Sequence, residues 1–182
     1  MHRAALAVLL TIVACGRTPP PPPVLGPFPD FALTDQAGRA VSRADLRGAV
    51  WVADFIFTRC PTICPRLTDR MAELAARTQG VRFVSFSVDP EHDTPAALAA
   101  FAAAHGADLT RWSFLTGPID AVTAGAKLAL ERDPAQPPEA AIRHGTHFIL
   151  VDAEGRIRDG YYDSADEDGR ARLRADLAAL AR

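Results

Sequence analysis

Residues 50–57 form a continuous apolar run broken only by Asp54. A run this short and this apolar predicts a strand buried on both faces. Residues 81–88 repeat the pattern, and 112–115, 148–151 and 157–161 read as shorter strands. Between them, apolar positions recur at helical spacing: Leu67, Met71, Leu74 and Ala75 within 64–78, and Leu98 and Phe101 within 96–104. Leu173, Leu177 and Leu180 do the same in an amphipathic segment at 170–182. Residues 118–130 predict a further helix, and the Pro-rich stretch 132–140 a loop. Asp93-Thr94-Pro95 is a helix-start signature, with Asp93 serving turn and cap chemistry. Near the N-terminus, 31–34 and 40–42 flank Asp35-Gln36-Ala37-Gly38 and predict a hairpin. Strands and helices therefore alternate after an opening hairpin. That order predicts an α/β domain with parallel strands in the middle and an antiparallel hairpin at the closing edge.

Composition adds little to that picture but excludes some partners. The chain has 182 residues, 48% hydrophobic and 23% charged, enough for one domain with a tail. The formal net charge is −2, Lys127 is the single lysine, and the arginines are scattered among acids. No basic cluster of the kind that tracks a phosphate backbone is present, so no nucleic-acid partner is expected.

The N-terminus carries an address. Met1-His2-Arg3 is a short basic region, followed by an apolar stretch too short to span a bilayer. Ile12-Val13-Ala14-Cys15-Gly16 resembles the lipobox of bacterial lipoproteins, with Ile12 where Leu is usual. The expected organisation is a signal peptide at 1–14, an acylated Cys15, a Pro-rich linker at 15–27 and one domain at 28–182. Five consecutive prolines, Pro19–Pro23, suit a semi-rigid spacer that lifts the domain off a membrane. The expected location is the bacterial cell envelope, lipid-anchored, with the domain facing the periplasm or the outside. The alternative is an ordinary cleaved secretory signal with an unpaired cysteine.

The candidate chemistry lies at Cys60-Pro61-Thr62-Ile63-Cys64-Pro65, directly after the first buried strand. Thiols at i and i+4 share one helical face if Cys64 opens a helix. A strand–loop–helix elbow offers backbone N–H groups and a helix dipole that favour thiolate over thiol. Pro65 fits the first turn, where its missing N–H costs nothing. The pair suits a soft metal or reversible oxidation; a structural disulfide or two buried free thiols is the plainer alternative. The carboxyl end of a central strand is where open α/β sheets place their sites.

Three separated segments resemble the Sco/SenC family, the thioredoxin-like copper proteins that serve assembly of the copper centre of cytochrome c oxidase. They are the cysteine motif with its preceding Phe57-Thr58-Arg59, then Ser87-Val88-Asp89-Pro90-Glu91-His92-Asp93-Thr94-Pro95, then His144-Gly145-Thr146-His147-Phe148 and the strand ending at Asp152. The resemblance covers about residues 28–182. It implies a thioredoxin-like three-layer sandwich with an extra N-terminal β-hairpin. It also implies a copper site made of Cys60, Cys64 and one distant histidine, and a client such as cytochrome c oxidase subunit II. Counting back from Asp152 by the family's spacing selects His144, with Gly145 where the family has Ser or Thr; His147 is the competitor. Two thiolates and an imidazole form a soft set that favours Cu(I), with Cu(II) as the second state.

Other residues have plainer readings. Asp89 and Asp93 belong to the family's acidic motif, as neighbours of the metal site or as partner contacts. Asp54 lies inside a buried strand and needs a counter-ion or a role in cysteine protonation. His92 and His105 read as solvated, and Met71 as core filler. The rival function is a thiol–disulfide oxidoreductase acting on a target protein through Cys60 and Cys64. The CxxxC spacing and the lack of a proline in 143–148 argue against a general thioredoxin. A peroxiredoxin-like peroxidase ranks last, because Thr58 lies two residues before Cys60 rather than three.

Overall fold

The computed structural model describes residues 20–126, 130–132, 136 and 142–180. The expected signal peptide, Cys15, Lys127 and most of the Pro-rich loop lie outside the described residues. The elements are β1 (Val24–Pro27), β2 (Ala32–Asp35), β3 (Ala40–Ser42), β4 (Val50–Ile56), α1 (Ile63–Arg77), β5 (Val81–Ser87) and α2 (Pro95–Ala104). They continue with β6 (Trp112–Thr116), α3 (Asp120–Gly125), β7 (Leu130–Arg132), β8 (Ile142–His144), β9 (His147–Val151), β10 (Arg156–Asp163) and α4 (Glu167–Leu180).

Eight strands form one sheet in the order β1-β10-β9-β4-β5-β6-β2-β3. The centre is parallel: β4 pairs β5 from Val50↔Val81 to Ile56↔Ser87, and β5 pairs β6. Both flanks are antiparallel, and the β9–β10 flank is the closing hairpin expected from the sequence. Every residue of β4 is buried, which explains its unbroken apolar sequence.

The two faces separate by strand alternation. Val52, Asp54, Phe83, Ser85, Trp112, Phe114 and Phe148 share one face by register. Phe101 of α2 meets Phe114 edge-on at 6.3 Å, and His105 at the α2 C-cap bonds Asp69 of α1 at 2.7 Å. Leu74 of α1 and Leu173 of α4 lie against Phe148 around one small cavity. The other face carries Trp51, Phe55 and Phe86. Phe28 and Phe31, on the chain between β1 and β2, close over it: Phe28 lies 4.7 Å from Trp51 and 5.7 Å from Phe86 between ring centres. Phe31 meets Phe86 edge-on at 5.2 Å. Offset and edge-to-face rings add stability beyond their buried area. The fold is thioredoxin-like, with the N-terminal hairpin β2–β3 joined to the sheet through β6.

Three segments depart from the sequence reading. Val24–Pro27, assigned to the linker, forms an edge strand on β10. The helix expected over 118–130 is only Asp120–Gly125, and Leu130–Arg132 pairs with Ile142–His144 as a separate ribbon. Local helix propensity there yields to the pairing that a distant segment offers. Asp93 does not cap α2. Thr94 does, its Oγ1 accepting the Ala97 N–H at 3.2 Å.

Gly169 lies in the first turn of α4, where a Cβ would sit 2.6 Å from the Asp163 carbonyl oxygen. Helix propensity alone makes Gly→Ala stabilising by about 1 kcal/mol. The backbone contact reverses that sign, because the obstacle cannot swing aside. Gly169→Ala should therefore destabilise the domain by roughly 1–3 kcal/mol in denaturant unfolding. An unchanged or raised midpoint would show that the β10–α4 junction yields easily.

Candidate metal centre

The buried β4 ends at Ile56, and the chain turns through Phe57 to Cys60, whose N–H bonds the Phe57 carbonyl at 3.2 Å. α1 begins at Ile63, so Cys64 and Pro65 lie in its first turn. Cys64 is buried and Cys60 half-buried; both are free thiols. The Cys64 N–H points at Cys60 Sγ, 3.4 Å away. That is the N–H-rich helix start expected to favour a thiolate.

The pair shares one proton unequally. The Cys64 thiol, acting as donor, is the largest influence holding the Cys60 pKa down to about 5. Burial opposes the shift, and the N–H groups of Cys64, Thr62 and Ile63 reinforce it. Cys64 is pushed up for the reciprocal reason, with burial and the charges of Cys60 and Asp54 adding to the effect. Near neutral pH the site is a Cys60 thiolate beside a protonated Cys64.

His144 reaches the same spot from the β7–β8 ribbon, where Leu130 pairs with it. Its Nε2 lies 3.4 Å from Cys64 Sγ. Its Nδ1 lies 2.9 Å from the Gly145 carbonyl, which accepts the ring proton and leaves the Nε2 lone pair facing sulfur. Burial lowers the His144 pKa, so the ring stays neutral, although the Gly145 carbonyl and the Cys60 charge pull it upward. Phe57 packs edge-on against the imidazole at 5.8 Å. His147 begins β9 opposite Asp163. The three side chains lie side by side rather than in a closed cage: among the described residues no three Cys, His, Asp or Glu side chains are already set to hold a metal ion.

Two loops brace this chain. Asp93 is fully buried and accepts from the Thr58 N–H at 3.2 Å, the Thr58 Oγ1–H at 2.6 Å and the Ser87 Oγ–H at 2.6 Å. It thereby ties the cysteine loop to the end of β5. Asp89 accepts from Arg59 at 2.7 Å, and His92 Nδ1 lies 2.9 Å from its other oxygen. Burial raises the Asp89 pKa, but the His92 and Arg59 hydrogen bonds hold it below the ordinary carboxylate range. Neither His92 nor His105 is simply solvated, since each is bonded to an aspartate. Met71 is fully buried core, as expected.

Asp54 lies on the helix face of β4, fully buried. Neither carboxyl oxygen has a hydrogen-bond partner, and it forms no ion pair among the described residues. Among the described residues the structural salt bridge considered for it is absent. The hydroxyl of Ser85, its partner in the ladder, receives Trp112 Nε1 at 3.0 Å. Burial pushes the Asp54 pKa up to about 7, against a modest lowering from Ser85.

The unequal thiols give a direct expectation. Alkylation of the reduced protein should modify Cys60 first, with a rate that rises through an apparent pKa near 5. Cys64→Ala should move that midpoint upward by removing the thiol donor. A midpoint near the ordinary 8.5 in the unsubstituted protein would refute an activated Cys60.

Comparison with known proteins places this arrangement. The SCO1/SenC family profile matches residues 25–181. The SCO1 protein homolog of Bacillus subtilis is 36% identical over 162 residues, covering 85% of this chain and 83% of the relative. The crystal structure of a SCO1/SenC family lipoprotein from Bacillus anthracis superposes with a TM-score of 0.76 at 34% identity, covering 86% of this chain and 96% of that one. BsSco, described as a member of the Sco family of cytochrome c oxidase assembly proteins and as containing a disulfide switch, gives 0.73 at 32% identity, covering 89% and 98%. Bradyrhizobium japonicum ScoI, solved with copper bound, gives 0.63 at 25% identity, covering 80% and 96%. With a match over nearly the whole domain, the chain belongs to the SCO1/SenC family.

Proposed function

We propose that this protein is a membrane-anchored copper chaperone that holds copper through Cys60, Cys64 and His144 and delivers it for assembly of the cytochrome c oxidase copper centre. The observation that carries the reading is His144 Nε2 3.4 Å from Cys64 Sγ, beside a Cys60 whose pKa is held down to about 5. Copper bound to a similar protein, ScoI, supports the choice of metal. Two sulfurs and one imidazole nitrogen favour Cu(I) over the harder divalent ions. Metal binding would displace the Cys64 proton, giving two thiolates. Three ligands leave an open coordination position through which a client's thiol or imidazole can enter. The client is oxidase subunit II or another protein that takes up copper.

Oxidoreductase chemistry is the second reading, favoured by the lowered Cys60 pKa. A disulfide between Cys60 and Cys64 would remove both soft ligands, so oxidation and copper loading would exclude each other. The proposed anchor is Cys15, acylated after removal of residues 1–14. Among the described residues no helix is long and apolar enough to cross a membrane.

Titration of the reduced domain with Cu(I) should give one ion per chain. Cys60→Ser or Cys64→Ser should abolish tight binding, because one thiolate and one imidazole lack the chelate. His144→Ala should weaken binding by at least tenfold and spare thiol–disulfide exchange, whereas His147→Ala should do little. Equal losses in the two histidine variants, or X-ray absorption without histidine scattering, would sink the ligand assignment. If oxidase assembly in cells tolerates His144→Ala but not the cysteine changes, the protein works mainly as a reductase.

Fractionation of cells tests the anchor separately. Cys15→Ser should leave the membrane fraction or accumulate unprocessed; unchanged mobility and fractionation would count against acylation.

A further inference from the structure

From the strand register we infer that the lipid anchor holds the domain with its cysteine end toward the membrane, so that it exchanges metal with soft-ligand sites of membrane proteins close to the bilayer surface. This rests on the proposed acylation of Cys15. The carboxyl end of β4 leads into the cysteine loop. β9 is antiparallel to β4, with Trp51↔Val151 and Ala53↔Ile149, so His147 at its start lies at the cysteine end. β10 is antiparallel to β9, and its last residues, Tyr162 and Asp163, pair with Phe148 and His147. The carboxyl end of β10 therefore also marks the cysteine end. β1 runs antiparallel to β10, from Pro27↔Arg156 back to Val24↔Arg158. Followed toward the N-terminus, the chain climbs β10 in the direction of Asp163.

That course continues past the strand. The Pro23 carbonyl accepts the Asp159 N–H at 2.9 Å, and Pro22 is buried. The tether is thus clamped to the sheet edge before it leaves. Proline fixes its own φ, so the described residues Pro20–Pro23 hold the exit direction as far as Pro20. From the clamped Pro22 back to Cys15 is seven residues, at most about 25 Å of chain. The bilayer then lies beyond the cysteine end. The opposite end, with the Asp152–Gly155 turn between β9 and β10, points away from it. Ile63, half-exposed beside Cys64, offers an apolar contact at the membrane-facing end.

The partner this fits is a membrane-embedded protein presenting thiol or imidazole ligands within about 25 Å of the headgroups, the tether's reach. A site raised far above the membrane on a large soluble domain would lie on the wrong side.

The test uses the full-length lipidated protein in vesicles of phosphatidylethanolamine and phosphatidylglycerol carrying a headgroup-attached nitroxide quencher. In a Cys60→Ser, Cys64→Ser background, a fluorophore is placed at Ile63→Cys or at the exposed Glu154→Cys. Thr62→Cys serves as a second cysteine-end position should the Ile63 variant fold poorly. Quenching at position 63 or 62 should exceed quenching at 154 by several-fold. Equal quenching, or stronger quenching at 154, in protein that floats with the vesicles overturns the orientation and leaves the anchor standing. Protein that does not float overturns the anchor and the orientation together.

Discussion

β4 sets the terms for everything around it. It is buried on both faces and paired on both edges, parallel to β5 and antiparallel to β9. Backbone groups without water must find partners, and here two ladders supply them along the strand. The chain first escapes this constraint at its carboxyl end, where Phe57 gives way to the loop that carries Cys60. Chemistry gathers there because backbone N–H groups at the start of α1 are free to face sulfur rather than the preceding turn.

The loop would be slack without its braces. Asp93 joins Thr58 to Ser87, and Asp89 joins Arg59 to His92, so the two residues before Cys60 are each tied to the β5–α2 connection. His144 comes from a different direction, on a short ribbon outside the main sheet. The cysteines thus sit on the main sheet's side of the site, and the histidine comes from a separate ribbon whose Ile142 is buried in the core.

Much of this was legible in the sequence. The apolar runs marked β4 and β5 because strands buried on both faces need no polar alternation, and the cysteine spacing marked the helix start. The ribbon holding His144 was not legible: strands of three residues carry too little periodicity, and helix-compatible residues at 126–130 masked the first of them. β1 hid within proline-rich sequence, yet an edge strand tolerates proline. Asp93 was hidden by its neighbour. Asp-Thr-Pro offers two cap candidates, and using Thr94 frees the aspartate for long-range bonds to partners 35 and 6 residues away, which no local pattern reveals. The exposed-looking histidines were misread for the same reason, since their aspartate partners come from tertiary or turn geometry.

The unpartnered carboxyl of Asp54 couples folding to acidity. Its pKa is about 7 in the folded domain against an ordinary value of 3.8. Between those values the folded chain retains a proton that the unfolded chain has released, so this group's contribution to stability is fully present below about pH 4 and is lost as pH rises through about 7. Most buried carboxylates that are paired behave in the opposite way and weaken a protein in acid. Through Asp54 the domain is firmer in a mildly acidic envelope than in an alkaline one, and alkalinity places an uncompensated charge in the layer between the sheet and α1.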